Sequence, residues 1–214
     1  LNESKFGGVI MRSVYTVGYS SFDVNMFISL LRNYNINGVI DVRSNPNSKF
    51  HEEFNKKNIE SELKIRSIIY RNYQDEFGAR QLNTAFYSDG YLNFRTFSNS
   101  KIFMSGISKV IAGTNAGYTI VLMCAEKDPV NCHRNIMVAR KLHEMGYEIR
   151  NLLSDGTYEL QTDLEMRLVD KYFPDRNQMS LLSEQLSIGE MIDTCYEIRN
   201  REIGYRKSDD EEYI

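Results

Sequence analysis

The sequence has few of the residues that mark secreted or membrane-spanning proteins. Its 214 residues include three prolines, three cysteines and no tryptophan. An odd number of cysteines without framework spacing argues against a disulfide scaffold and favours reduced thiols. Apolar runs stay well short of the roughly 20 residues that a membrane-spanning helix needs, and no apolar stretch of signal-peptide length opens the chain. We therefore expect a cytoplasmic protein with no membrane association.

The composition is that of an ordinary globular protein, but the charges are unevenly distributed. Hydrophobic residues make up 42% of the chain and charged residues 26%. Residues 1–150 carry 19 basic against 14 acidic side chains, whereas residues 151–214 carry 7 against 15. Two interpretations remain open: an anion-attracting core with an acidic extension, or solvated acidic helices followed by an acidic tail.

Alternating strand and helix patterns predict an α/β fold. Val39–Val42 and Tyr118–Met123 are almost continuously apolar, which is typical of buried parallel strands. A helix over Val24–Tyr34, capped by Asp23, follows the first strand. We predict a mostly parallel, Rossmann-like sheet of about five strands, covered by helices on both faces and followed by a C-terminal helical extension.

Three segments follow from this pattern. Residues 13–157 are predicted to form the α/β core, residues 158–206 a helical extension, and residues 207–214 an acidic flexible tail. The extension would contain helices over Tyr158–Phe173 and Ser180–Ile203, separated by Pro174. These helices are also a candidate surface for a homodimer.

Polar clusters follow three of the predicted strands. Asp41, Arg43 and Ser48 come after the second strand, and a Cys-to-Arg segment at 124–134 comes after the Tyr118–Met123 strand. A smaller turn, Tyr19-Ser20, follows the first strand. Because ligands bind outside the carboxyl ends of parallel strands, we expect one cleft at this edge of the sheet.

The 124–134 segment indicates an anion site. Asp128 is a plausible N-cap with Pro129 at the first helical position, so Cys132, His133 and Arg134 would lie in the first turns of a helix. A helix N-terminus favours an anion, and Arg43 and Arg134 are candidates to bind phosphate or carboxylate. The alternative is that Arg134 forms a structural pair with Glu126 or Asp41.

Cysteine chemistry is a second hypothesis for the segment. Cys124 ends a strand, and a neighbouring cation would increase its thiolate fraction, with His133 as base or general acid. Arg134 lies ten positions after Cys124, so the spacing is not that of a Cys-x5-Arg phosphatase loop. Both Cys124 and Cys132 could equally be buried packing residues.

A metal site is not predicted. Cys124, Cys132 and His133, with Glu126 or Asp41, offer three or four ligands, but there is no Cys-x2-Cys pair, and adjacent residues on a helix point in different directions. The cofactor therefore stays unknown.

The remaining candidate residues divide into two groups. Asp41 and Glu126 stand at strand ends and are candidates for general acid–base catalysis, or for capping nearby loops. Four polar side chains are candidate substrate contacts: Tyr19, Ser20, Ser48 and Tyr73.

The segments around the predicted cleft resemble a known family. They read Thr-Val-Gly-Tyr-Ser at 16–20, Val-Ile-Asp-Val-Arg at 39–43, and Cys-Ala-Glu-Lys-Asp-Pro at 124–129 followed by Cys-His-Arg at 132–134. Together they are similar to the domain of unknown function 488 family over about residues 14–153. The resemblance implies a compact cytosolic α/β domain with a site near its cysteines, and no established reaction.

The favoured hypothesis is an enzyme that acts on an anionic substrate, most plausibly a nucleotide or nucleic acid, by hydrolysis or group transfer. The basic balance of the core motivates an anionic partner. One alternative is a non-catalytic module that binds a nucleotide or nucleic acid. Another is a cysteine-based sulfur-transfer or thiol-redox enzyme.

Overall fold

Short apolar and β-branched segments form the strands, and amphipathic segments form the helices that cover them. The computed structural model describes residues 5–6, 9–10, 12–176 and 186–207. The strands are β1 Lys5–Phe6, β2 Val9–Ile10, β3 Ser13–Gly18, β4 Gly38–Asp41, β5 Ile69–Asn72, β6 Tyr87–Ser88, β7 Tyr91–Leu92, β8 Ile120–Cys124, β9 Glu148–Leu152 and β10 Tyr158–Leu160. The helices are α1 Val24–Asn33, α2 Lys56–Ile65, α3 Gln74–Phe77, α4 Phe94–Ser98, α5 Lys101–Asn115, α6 Arg140–Glu144, α7 Gln161–Tyr172 and α8 Ile188–Ile203.

Six strands form the central sheet, in the order β10-β9-β3-β8-β4-β5. Five of them are parallel, which confirms the predicted fold class. The sixth, β10, pairs antiparallel with β9, with Tyr158 opposite Leu152. The sequence placed Tyr158 at the start of a helix, but pairing with the edge of β9 satisfies its backbone groups before α7 begins.

Helices cover both faces of the sheet, as predicted. On one face, Phe27 and Leu31 of α1 and Leu63 of α2 are fully buried. The α1 helix starts where expected, because the Asp23 side chain accepts a hydrogen bond from the Met26 amide at 2.8 Å. The larger core lies on the other face and contains residues of α4, α5, α6, α7 and α8.

The predicted helix over Tyr91–Ala112 is two helices. Asn93 and Ser100 each accept a hydrogen bond from a backbone amide three residues later, and so cap α4 and α5 separately. These two N-caps divide the apolar stretch into two helices, although its periodicity alone predicts one. None of the described helices is long and apolar enough to cross a membrane.

The residues after 157 pack against the same central sheet and helices as the rest of the chain. Asn135, Asn151 and Gln161 exchange buried side-chain hydrogen bonds at 2.8–3.1 Å, and Gln161 also donates to Tyr196 of α8 at 2.7 Å. The sheet, through β10, and this network therefore both run across the predicted boundary at 157/158. The predicted helix over Ser180–Ile203 begins at Ile188, after a capping box at Ser187. Residues 177–185 and 208–214, including almost all of the predicted tail, lie outside the described residues.

Candidate active site

The carboxyl ends of three neighbouring strands bring the predicted polar clusters together. Gly18 of β3 lies opposite Cys124 of β8, and Asp41 of β4 lies opposite Met123. The loops that follow enclose a cleft of about 590 Å³, within the usual range for a small-molecule site. Its lining includes Tyr19, Arg43, Ser44, Asn45, Asn47, Ser48, Arg80, Cys124, Glu126, Asn131, His133, Tyr205 and Arg206.

Glycine at position 18 allows the loop after β8 to lie directly against the end of β3. A Cβ atom there would stand 1.9 Å from the carbonyl oxygen of Glu126, so a side chain cannot be accommodated without moving the backbone. Two residues later, the Ser20 amide donates to the carbonyl of Ala125 at 3.1 Å. These contacts set the position of Glu126 at the cleft.

Cys132 interrupts the helix that the sequence predicted from Pro129. Asp128 caps only a short 3-10 turn, Pro129–Asn131, accepting from the Val130 amide at 3.1 Å. Cys132 is then extended, with φ −130° and ψ 134°. Helical backbone resumes at His133 and passes through a wide π turn, Arg134–Ala139, of a kind often found at functional sites. The predicted anion site at a helix N-terminus around Pro129 is therefore wrong in its geometry.

The extended conformation of Cys132 turns its side chain toward Cys124. Both sulfurs donate to the same carboxylate oxygen, Oε2 of Glu126, at 3.0 Å from Cys124 and 2.8 Å from Cys132. Nδ1 of His133 lies 4.0 Å from the Cys124 sulfur. One potential ligand atom from each of the four residues lies within 4.8 Å of the others. One of the two reasons for predicting no metal, that Cys132 and His133 diverge along a helix, does not apply, because Cys132 is extended.

The four side chains strongly perturb one another. Burial would raise the pKa of Cys132, but the Cys124 thiol and the positive charges of Arg134 and His133 hold it well below its usual range. Burial and the neighbouring Cys132 raise the pKa of Cys124. Burial lowers the pKa of His133, but Cys132, Glu126 and the Val42 carbonyl outweigh it and raise the pKa to about 9. Burial also raises the pKa of Glu126.

Asp41 and Arg43 form a buried ion pair beside the cluster. Arg43 donates to Asp41 through Nε and through Nη2, the latter at 2.6 Å. Nη2 also donates to the Phe54 carbonyl. The Tyr70 hydroxyl donates to the second Asp41 oxygen at 2.7 Å. Asp41 is fully buried and Arg43 is 4% exposed. The carboxylate predicted to do acid–base chemistry therefore holds Arg43 in the wall of the cleft.

Arg134 is also fully buried, beneath the loop rather than in the cleft. It donates to the carbonyl oxygens of Glu126 and Lys127 and, at 3.4 Å, to the Thr16 hydroxyl. The predicted contact with a bound anion is not available to a side chain with this burial. Arg134 instead fixes the backbone that carries Glu126.

The other predicted contacts are divided between the cleft and its surroundings. Tyr19 lines the cleft, accepts from Arg43 and stacks on Phe54 with ring centroids 4.4 Å apart. Ser48 lies on the cleft lining. Ser20 is exposed in the turn after β3. Tyr73 lies apart from the cleft, against Phe77 and beneath the Lys109 amine.

Several cleft residues were not predicted. Asn131 lies inside the 124–134 segment, and this location between Pro129 and Cys132 was the only sequence signal that could have identified it as a cleft residue. Arg80 comes from the loop after α3, with its guanidinium 5.0 Å from the Tyr205 ring centroid. Tyr205 and Arg206 follow α8 and reach the cleft from the C-terminal side. No local sequence pattern connects residues so far apart.

Comparison with known proteins identifies the family. The model of a domain of unknown function, DUF488, matches residues 23–141. This range includes β4, β8 and the four clustered side chains of Cys124, Glu126, Cys132 and His133. Neither the curated proteins nor the solved structures contain a significant match. The match covers more than half of the 214 residues, and the chain belongs to the DUF488 family.

Proposed function

We propose that the protein is an enzyme that acts on a nucleotide or nucleic acid by hydrolysis or group transfer. One observation carries the proposal: a cleft of ligand size, with arginines on its lining, is also lined by Cys124, Glu126 and His133, whose ligand atoms lie within 4.8 Å of one another and of Cys132. A cleft with converging polar groups and perturbed pKa values is the preferred candidate for an active site in an uncharacterised fold.

The lining suits an anion with an aromatic part. Arg43 is already paired with Asp41, so Arg80 and Arg206 supply the positive charge of the lining, which also carries the carboxylates of Glu126 and Glu202. Glu202 also pairs with Arg199 and Lys171, which reduces its influence on the cleft. Arginine binds phosphate oxygens well, and the ring of Tyr205 on the cleft lining offers a face on which a base can stack.

Glu126 is the best-placed proton carrier. Part of the side chain is exposed on the cleft lining, while its carboxylate reaches inward, where Oε2 lies against both thiols. A carboxylate that touches both the cleft and the buried sulfurs can accept a proton from the substrate or return one. Asp41 has no comparable access because it is buried under Arg43.

A thiol-based reaction is the second candidate. The two sulfurs share one carboxylate oxygen, and Cys124 lies on the cleft wall. That pairing is the arrangement expected of a nucleophilic thiol beside a proton acceptor. Mass spectrometry after substrate addition would detect a covalent adduct on Cys124 if this chemistry operates.

Binding and turnover are tested with the same panel. Wild type and Glu126→Gln are titrated calorimetrically with the four ribonucleoside monophosphates and a single-stranded DNA oligonucleotide, and the mixtures are analysed for products. We expect both proteins to bind, and only wild type to turn over. Binding without turnover by wild type would instead support a binding module. Absence of binding across the panel would contradict the proposal.

The Arg80→Glu substitution is expected to weaken binding of the best ligand by about tenfold, the loss typical of one charge-assisted hydrogen bond. Arg80 is exposed at the edge of the cleft, so the fold should be retained. The matched control is Arg32→Glu, because Arg32 is exposed in the last turn of α1 and lies outside the cleft lining. An equal loss of affinity in both variants would show that only net charge matters.

A further inference from the structure

We propose that Cys124, Cys132 and His133 bind a zinc-class divalent metal ion, with Glu126 as the fourth ligand. The four residues come from one short stretch of chain, 124–133, yet they were not expected to converge. Their ligand atoms, two sulfurs, one imidazole nitrogen and one carboxylate oxygen, all lie within 4.8 Å of one another. Thiolate and imidazole together favour zinc over magnesium or calcium, which prefer oxygen ligands.

The spacing is close to that of a tetrahedral site. Zinc–ligand bonds of about 2.0–2.3 Å place neighbouring ligand atoms about 3.3–3.8 Å apart. Glu126 Oε2 already lies 3.0 Å and 2.8 Å from the two sulfurs, and His133 Nδ1 lies 4.0 Å from Cys124. Small rotations about side-chain bonds would therefore form the site, with no change in the backbone.

The second nitrogen of His133 is held as in known metal sites. Nε2 lies 2.9 Å from the carbonyl oxygen of Val42, so the ring donates its Nε2 hydrogen there and keeps Nδ1 for the cluster. Histidine ligands usually donate the other ring hydrogen to a carbonyl or carboxylate, which fixes the tautomer and the ring orientation. This contact is independent of the cysteines and of Glu126.

Arg134 supplies a charge that a thiolate site needs. It is fully buried, and among the residues that the structure describes no carboxylate lies within ion-pairing distance of it. It is bound instead to the carbonyls of Glu126 and Lys127, directly behind the cluster. A divalent ion with two thiolates and one carboxylate has a net charge of minus one, which the guanidinium offsets.

The four proposed ligands differ in how far they are exposed to the cleft. Cys124 and Cys132 are 2% and 1% exposed, whereas Glu126 is exposed on the cleft lining. Two buried thiols, a half-buried imidazole on the cleft lining and a carboxylate that faces the cleft fit a catalytic zinc site, where the outermost position exchanges with water or substrate. Bound metal would polarise a substrate oxygen or lower the pKa of a water at that position.

This inference goes beyond the proposed function and does not require it, because metal uptake is measured without any nucleotide. On binding, the thiol and imidazole ligand atoms release to solvent the protons that they carry, and no oxidation occurs. Failure to bind nucleotides would leave a measured metal site intact, and failure to bind metal would leave nucleotide binding intact.

The test is a titration of the reduced, chelator-treated full chain with Zn²⁺ in competition with a chromophoric chelator, and with Co²⁺ by absorption. We expect one ion per chain, and intense thiolate-to-cobalt and tetrahedral Co²⁺ bands. Cys124→Ser and Cys132→Ser should each lower zinc affinity by about 100-fold or more, because each removes a ligand outright, whereas loss of a supporting contact costs about 10–100-fold. Glu126→Gln should cost about tenfold and keep the cobalt–thiolate band.

The third cysteine is the matched control. Cys195 is buried in α8 outside the cluster, so Cys195→Ser should bind one ion with unchanged affinity. Circular dichroism checks that each variant is folded. Three results would overturn the inference: no zinc uptake at micromolar concentrations by folded wild type, cobalt bound without the thiolate band, or the same loss in Cys195→Ser as in the two ligand variants.

Discussion

Replacing Asp41 by asparagine is expected to lower the free energy of unfolding by about 3–5 kcal/mol, because it leaves the Arg43 guanidinium buried without its counter-charge. The pair is 0% and 4% exposed, with a shortest N–O distance of 2.6 Å. The Asp41 carboxylate also accepts from the Tyr70 hydroxyl. Urea unfolding followed by circular dichroism measures the change.

The chain offers a closely matched control for this substitution. Asp193 and Arg140 are also joined at 2.6 Å, but Asp193 is 70% exposed. We expect Asp193→Asn to change the free energy of unfolding by less than about 1 kcal/mol, because solvent screens an exposed pair. If Asp41→Asn unfolded at the same urea concentration as wild type but lost turnover, Asp41 would be a proton-transfer group and not a scaffold.

Replacing Gly18 by alanine is expected to lower the free energy of unfolding by about 3 kcal/mol, the upper part of the range for overpacking. The new methyl group would stand 1.9 Å from the Glu126 carbonyl oxygen and 2.7 Å from its carbonyl carbon. Backbone atoms cannot rotate away as a flexible side chain can. The loop must therefore move, and its contacts with Arg134 and Ser20 would be strained. The same urea experiment measures the loss.

Gly189 provides the corresponding control within α8. An added Cβ there meets no atom within 4 Å, and alanine is the better helix former by roughly 0.5–1 kcal/mol. Gly189→Ala should therefore be neutral or slightly stabilising. If Gly18→Ala were as stable as wild type, the loop that carries Glu126 would not be held against β3. The position of Glu126 at the cleft would then be wrong.

The sheet could be predicted because its strands carry their signal locally. The short, continuous apolar runs before Asp41 and Cys124 are typical of buried strands, and the Asp23 cap indicates the start of α1. Strand β10 could not be predicted in this way. Three residues directly before a helical pattern carry too little periodicity, and only the free edge of β9 makes Tyr158–Leu160 a strand.

The residue types of the candidate site were identifiable from the sequence, but their roles were not. Cys124 and Glu126 after one strand and Asp41 at the end of another predict a cleft, since parallel strands bring their carboxyl ends together. The sequence did not show that Asp41 and Arg134 are buried, since burial depends on which loops cover them. Helical geometry was the natural expectation for Cys132, and it separated Cys132 from His133.

The sequence by itself determined the fold class, the family and the edge of the sheet where the site lies, because hydrophobic periodicity and short motifs act over a few residues. Only the tertiary structure decided the composition of the site. The extended backbone at Cys132 brings two thiols onto Glu126, and the end of α8 brings Tyr205 and Arg206 across the cleft. Both depend on packing between distant segments, where the free energy of many weak contacts outweighs the preference of any single residue.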